Sequence, residues 1–395
     1  MIYLDNQSTT RVDPRVVATM LPTFDSCYGN AGSITHEMGL VAKQLVEDSS
    51  ASVATAIGAG PHEIVFTSGA TESNNLAIFG YCQRRRTSGH ILSVATEHKS
   101  VLDPLAKLQR QGFQVTYLPV KQFSDPEGGL IDLDRFESAM RDDTFFVSVM
   151  LANNEIGVIQ PLRAIAKICR RREIVLHTDA TQAIGNLKVV VDELDVDLLS
   201  LSAHKFYGPK GVGALYVRQT DRRIRLSSQI DGGGQQGGRR SGTLNVSGIV
   251  GMAKAIELAQ QDLGDGEIIR KQQLRSRLLQ RLQQALGELP INGPQINGQP
   301  EEASGRPLIR LPGNLNCQFP GIEGNSLMLG APSVAVSSGS ACTAADPEPS
   351  HVLRALGLNE DAVRSSVRFG IGRFNTLLDI DDAADQLIES AKKIR

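Results

Sequence analysis

The amino-acid sequence predicts an α/β protein: a large, mostly parallel sheet with helices on both faces, followed by a smaller α+β unit. Two observations carry this prediction. Between residues 63 and 217, short apolar runs alternate with segments of helical spacing, the pattern of strands joined by crossover helices. After a long helical stretch, the run 290–307 becomes rich in proline, glycine and asparagine, which marks a passage into a second unit reaching Arg395. At 395 residues the chain is long enough to bury a core in each unit.

Taken in order, the strand candidates are 64–66, 91–95, 115–118, 145–151, 174–177, 198–202 and 213–217. The segments 71–86, 99–111, 132–140 and 161–172 carry helical spacing or good helix formers and supply the crossovers. In such a sheet, ligands gather at the carboxyl ends of the strands. Residues 231–242 are dense in glycine and read as a functional loop rather than a strand. The stretch 246–286 predicts one or two long helices, with Leu274, Leu278, Leu279 and Leu282 as an apolar face.

Composition removes several classes of function. The 41 basic residues against 43 acidic ones leave a formal charge of −2, so no global field points to nucleic acid or an anionic membrane. The runs Arg84-Arg85-Arg86 and Arg170-Arg171-Arg172 read as solvated helix ends, where cations favour the dipole. The five cysteines are odd in number, far apart and without a C-x-x-C pair, which argues for a reducing compartment and against a disulfide framework or zinc site. The start, Met1-Ile2-Tyr3-Leu4-Asp5-Asn6, has neither a basic region nor a long apolar core, and no later run is apolar enough to span a membrane. A cytoplasmic protein is expected.

Several segments carry groups suited to chemistry. Thr67-Ser68-Gly69-Ala70-Thr71 follows a predicted strand and opens a predicted helix, gathering backbone N–H groups and hydroxyls at the positive end of a dipole. That suits a phosphate, although by itself the run reads first as an ordinary helix cap. It has neither the G-x-G-x-x-G nor the P-loop spacing, which weakens nucleotide readings. Asp179 stands at the expected carboxyl end of the run that begins Ile174-Val175-Leu176. A buried aspartate needs a cation or strong donors, and a protonated pyridine nitrogen is one such partner; capping a helix from Ala180 is the equal alternative.

Lys205 ends Ser202-Ala203-His204-Lys205, after the next strand and at the same sheet edge. A partly desolvated lysine there can form a Schiff base and shuttle a proton. Lys210 is the local competitor, but Ser202 and His204 beside Lys205, as phosphate ligands, favour the earlier lysine. For Cys27, Cys82, Cys169 and Cys317 the default is packing as small hydrophobes. Cys342 differs: Ser338, Gly339, Ser340 and Thr343 surround it, then Asp346-Pro347-Glu348-Pro349, the composition of an exposed segment that suits a thiolate nucleophile.

With these residues in place, the chain resembles the cysteine desulfurases of the NifS/IscS type, within the class V aminotransferase family of fold-type I enzymes that use pyridoxal 5'-phosphate (PLP). The resemblance runs from Tyr3-Leu4-Asp5 through Gly69-Ala70-Thr71-Glu72-Ser73, Thr96-Glu97-His98-Lys99, Asn153-Asn154-Glu155-Ile156-Gly157 and Asp179-Ala180-Thr181-Gln182. It continues through Ser202-Ala203-His204-Lys205, Arg240-Ser241-Gly242-Thr243 and Ser338-Gly339-Ser340-Ala341-Cys342 to Arg368-Phe369.

The resemblance implies that Lys205 holds PLP as a Schiff base, that Asp179 pairs with the ring nitrogen, and that Gln182 and Asn154 lie near the phenolic oxygen. Ala70, Thr71, Ser202 and His204 would hold the phosphate, with Thr243 reaching over from a second subunit of a homodimer. His98 would stack on the ring and serve in proton transfer. Asn30 and Arg368 would hold the substrate carboxylate, a task that suits a planar guanidinium. The expected domains are 15–260, a large cofactor-binding α/β unit, and 1–14 with 261–395, a smaller α+β unit carrying the cysteine loop.

The implied reaction takes L-cysteine to L-alanine and leaves the sulfur on Cys342 as a persulfide. Residues 343–350 make the segment after the cysteine resemble the longer-loop group of the family, so sulfur-acceptor proteins are expected partners: scaffolds for iron–sulfur clusters or tRNA-thiolation proteins, with no direct binding to nucleic acid. Three departures stand out: Ser8 in place of a common alanine, Gln236 in a glycine loop that lacks the usual acid before Arg240, and Gly330-Ala331-Pro332 in a stretch that is usually more helical. The rival readings are another class V reaction, such as transamination, selenocysteine lysis or cysteine lysis, and a non-catalytic sulfur-transfer partner. Cys342 favours desulfuration over transamination, and Lys205, Asp179 and His98 oppose the second rival.

Overall fold

A computed structural model describes residues 1–85, 87–296, 308–338 and 349–395. Its centre is a seven-stranded sheet in the order Ile64–Thr67, Gly213–Val217, Leu198–Ser202, Val175–Asp179, Thr144–Ser148, His90–Val94 and Gln114–Leu118. The five strands from Leu198–Ser202 to Gln114–Leu118 are parallel. Gly213–Val217 runs antiparallel to both its neighbours. That single reversal has a geometric result: Ile64–Thr67 points the same way as Leu198–Ser202, so its carboxyl end meets those of the parallel strands at one sheet edge.

Six of the strands are buried throughout, and only the edge strand Gln114–Leu118 is partly exposed. Successive side chains point to opposite faces of a strand. Phe66, Leu92, Val147, Leu176, Leu199 and Ala214 accordingly join one apolar core, while Val65, Ile91, Phe146, Val175, Leu198 and Leu215 join another. Burial on both faces explains why these strands are continuous apolar runs rather than alternating ones.

The crossover helices follow from their apolar spacing. Lys99–Arg110 buries Val101, Leu105 and Leu108 and ends in Lys107 and Arg110. Leu162–Arg171 buries Leu162, Ile165, Ala166, Ile168 and Cys169, and its basic end suits the helix dipole. The arginines there do more than face solvent: Arg170 pairs with Asp195, and Arg171 with Glu137 at 3.0 Å.

The stretch 246–286 forms two helices, Val246–Gly264 and Glu267–Leu286, broken at Gly266 with φ of 85°. A third core gathers Leu278, Leu282, Leu315, Phe369 and Leu387, and it takes in Leu4 from the other end of the chain. Around it stand an antiparallel sheet ordered Ser337–Ser338, Ser366–Gly370, Asn314–Gln318 and a parallel pair, Ile2–Tyr3 with Val334–Ala335. The stretch before Pro332 is helical as far as Gly330. Among the described residues, no helix is long and apolar enough to cross a membrane.

Candidate active site

A cavity of about 750 Å³ opens at the carboxyl edge of the large sheet. Ala70, Thr71, Ser202 and His204 line it, and so do His98, Asn154, Asp179, Gln182 and Lys205. These residues come from five different strand ends and the connections that follow them, which the shared strand direction brings to one place.

The anion end is built by backbone constraint. Gly69 caps the helix Ala70–Cys82 at φ 152°, ψ −179°, a conformation that only glycine adopts without strain. Gly213 lets the neighbouring strand approach it: a Cβ there would sit 2.7 Å from the Gly69 Cα and 2.6 Å from the Leu201 carbonyl oxygen. Glu72, an acid in the first turn, accepts from the Ser68 N–H at 2.7 Å and from Arg240 Nε at 2.7 Å. Burial works to raise the Glu72 carboxyl, but Arg240 and Ser68 hold it below its ordinary value. With that acid neutralised by Arg240, the helix N-terminus is left to attract another anion.

Arg240 is held in reach by a feature of the glycine-rich loop. The Gln236 side-chain amide accepts from the Phe66 N–H at 2.7 Å and donates to the Phe66 carbonyl at 2.8 Å. Ile64–Thr67 lies at the sheet edge, so Gln236 stands in for a missing neighbour strand. This gives the Gln236 departure a local function. We expect Gln236→Ala to leave the Phe66 backbone pair open and the loop untied, read as faster amide exchange at Phe66 and throughout 231–242.

Asp179 is buried and accepts from Asn74 Nδ2 at 2.8 Å and from the Thr181 N–H at 2.9 Å. Both donors are neutral. His177, two residues earlier, is no cation either: it hydrogen-bonds Ser148 and Ser200 through its two ring nitrogens, and burial pushes its pKa down to about 4. The carboxylate therefore retains the need for a positive partner that its burial creates. The Thr181 contact is the capping interaction anticipated as the alternative, so one side chain serves both purposes.

Lys205 ends the short turn Ala203–Lys205, and its Nζ donates to the carbonyl oxygens of Gln7 and Ser8, each at 2.6 Å. The contact is with the Ser8 backbone, so the serine-for-alanine departure leaves it intact. Lys210 lines the same cavity. Gln182 Nε2 donates to the Gln7 carbonyl at 2.9 Å. His204 Nδ1 lies 3.0 Å from Thr9 Oγ1, and burial, helped by Lys205 and Lys210, pushes the ring pKa down to about 4. His98 caps the helix Lys99–Arg110, and burial lowers its pKa.

Other candidates lie elsewhere. Arg368 is buried against Asp5, with Nη2 2.8 Å from Asp5 Oδ1, and donates to the Asn154 carbonyl at 3.2 Å. Its Nε has no partner among the described residues. Asn30 is exposed and accepts from the Gly32 N–H, and Thr243 is exposed; neither they nor Arg368 are among the described residues that line this cavity. Cys342 lies outside the described residues. Pro349, Ser350 and His351 line the cavity.

Glu155 is a site residue that the sequence motif contained without a stated role. Ser350 Oγ donates to its Oε2, and burial pushes the carboxyl up to about 7, with Ser350 and Arg368 working the other way. A carboxyl whose folded pKa is raised contributes most to stability below its unfolded value, and that contribution is lost as pH climbs through the folded value. From about 4.5 to about 7 the loss is on the order of 3 kcal/mol. Glu155→Gln should flatten that part of the profile, so urea unfolding compared below and above this window should differ less in the variant than in the parent.

The residues in the cavity suit a phosphorylated, cationic heterocycle that reacts with an amine, and comparisons agree. An aminotransferase class-V family model matches residues 2–382. A cysteine desulfurase IscS of Anaeromyxobacter dehalogenans (strain 2CP-C) is 49% identical over 396 residues, covering 100% of this chain and 93% of that protein. A solved NifS-like protein superimposes with a TM-score of 0.86 at 35% identity, covering 98% of each chain. The structure described as SspA in complex with cysteine gives a TM-score of 0.76 at 33% identity, over 95% of this chain and 100% of that one. The chain belongs to the class-V aminotransferase family, in its cysteine desulfurase branch.

Proposed function

We propose that the chain converts L-cysteine to L-alanine and moves the sulfur onto the thiol of Cys342 as a persulfide. The observation that carries this reading is the convergence of Lys205, Asp179 and the Ala70–Cys82 helix N-terminus on one cavity. PLP, the cofactor of the family, supplies an electron sink for charge that develops at the substrate Cα.

The donors fit that group. The Asp179 carboxylate, held by the neutral donors Asn74 and Thr181, would take the protonated ring nitrogen, and Asn154 and Gln182 would serve the phenolic oxygen. The helix N-terminus at Ala70 and Thr71, with Ser202 and His204, would hold the phosphate, and Thr243 of a second subunit would complete it in a homodimer. Lys205 would hold the cofactor covalently. The Gln7 and Ser8 carbonyl oxygens hold the lysine Nζ in place, where its free amine would take the substrate Cα proton. Arg368, whose Nε has no partner among the described residues, and Asn30 would bind the substrate carboxylate.

The Cys342 thiolate attacks the substrate sulfur, breaking the Cβ–S bond and forming the S–S bond. No outside oxidant is needed: the substrate Cβ exchanges its sulfur for a proton, and the enzyme thiol becomes a persulfide. Delivery then goes to a sulfur-acceptor protein of the cytoplasm, an iron–sulfur scaffold or a tRNA-thiolation protein. The test is to supply L-cysteine to the purified holoenzyme and measure alanine, sulfide and protein-bound persulfide. Alanine and persulfide in equal first-turnover amounts are expected; pyruvate in place of alanine would overturn the assignment.

A further inference from the structure

His98 Nδ1 lies 3.1 Å from the Ser100 N–H and 2.8 Å from Ser100 Oγ. A backbone N–H only donates, so Nδ1 must present its lone pair, and the Ser100 hydroxyl donates to it as well. Ser100 Oγ accepts in turn from Asn74 Nδ2 at 2.8 Å, and the second hydrogen on that nitrogen goes to Asp179 Oδ2 at 2.8 Å. The opposite orientation of the Asn74 amide would set its oxygen against a carboxylate, so the nitrogen must face Asp179. Asn74 is fully buried and Ser100 nearly so.

On the functional reading given above, we propose that Ser100 and Asn74 are positioning residues that fix His98 as the neutral Nε2–H tautomer and join it to Asp179 through an unbroken hydrogen-bond relay. The ring then offers the active site an N–H donor, not a base. Protonating Nδ1 would sacrifice two accepted hydrogen bonds, and the cap position at the positive end of a twelve-residue helix opposes it further.

The charges that face the ring divide. Asp179 and Asp103 favour a proton on it, whereas Lys205 and His351 oppose one, and burial is the largest influence and also opposes it. Glu97, the residue before, is fully buried, and that burial, with Asp179 nearby, pushes its carboxyl well above the ordinary range. A neutral donor can stabilise negative charge on a bound oxygen or ring without surrendering its proton.

The test is long-range proton–nitrogen NMR of the full-length holoenzyme labelled with 15N-histidine, the His98 signals being identified by their loss in His98→Asn. Near neutral pH the expected pattern is an unprotonated Nδ1 and a protonated Nε2. In Ser100→Ala the protonation midpoint of His98 should rise by about one pH unit, the worth of one lost hydrogen bond, and Ser100→Thr, which keeps the hydroxyl, should restore it. A proton on Nδ1 in the parent, a mixture of tautomers, or an unmoved midpoint in Ser100→Ala would each overturn the proposal. Alanine formation is measured separately, so a protein with the expected tautomer but no desulfuration would overturn the functional reading alone.

Discussion

Lys205→Ala should abolish covalent attachment of PLP and lower alanine formation by about 10³-fold or more, the usual scale for losing a positioned acid–base group. The argument rests on where the amine is held. The strand Leu198–Ser202 is in register with Val175–Asp179, Asp179 opposite Ser200, so the short turn after Ser202 delivers Lys205 to the cavity that Asp179 lines. Carbonyl oxygens of Gln7 and Ser8 then fix its Nζ. The phosphate end and Asp179 are untouched by the substitution, so the variant should still bind the cofactor, reversibly and without the visible absorption of the attached form. Borohydride reduction followed by peptide mass mapping checks this directly. A label on Lys205 in the parent and none in the variant is expected; a label on Lys210, which lines the same cavity, would move the attachment point.

How much of this was legible in the sequence depended on the range of the interactions. The alternation of strands and helices could be read because both faces of the sheet are buried, which turns each strand into a continuous apolar run. The same continuity blurred the ends. The run 145–151 predicted a long strand, but the strand stops at Ser148; Val149 and Leu151 stay buried and bond the carbonyls of His177 and Asp179 outside the strand assignment. An apolar pattern reports burial, and burial continues past the end of a strand.

Motif residues next to a strand end, such as Asp179, Ser202 and Lys205, were within reach for a related reason: the position of the strand fixes the edge at which they emerge. Asn74 and Ser100 were not. Asn74 lies 26 residues from Ser100 and 105 from Asp179, and nothing in local spacing announces a hydrogen bond across three connections. Gln236 stood out as a departure, yet its use as a strand substitute needed the knowledge that Ile64–Thr67 is the edge strand. Glu155 was inside a recognised motif, and its role depends on Ser350, 195 residues away.

Cys342→Ser should leave PLP binding intact and eliminate persulfide formation, with alanine production falling because the substrate sulfur has no thiol to receive it. The other cysteines explain why no substitute is expected. Cys82, Cys169 and Cys317 are buried. Burial pushes the Cys82 thiol far above its ordinary value, and the thiols of Cys169 and Cys317 up to about 12. At neutral pH a thiol with a pKa of about 12 is ionised to only about one part in 10⁵, and the thiolate is the attacking species. Cys27 is half-buried and does not line the cavity, which leaves it the only one of these four with access to solvent. A serine hydroxyl at position 342 is close in size to the thiol but has neither its acidity nor its affinity for sulfur, so the chemistry is lost with little change in bulk. Peptide mapping after a single turnover with L-cysteine should find the added sulfur on Cys342 in the parent and on no residue in the variant. Undiminished sulfur transfer by Cys342→Ser would assign the receiving thiol elsewhere, and Cys27→Ser in that background would then be expected to remove it.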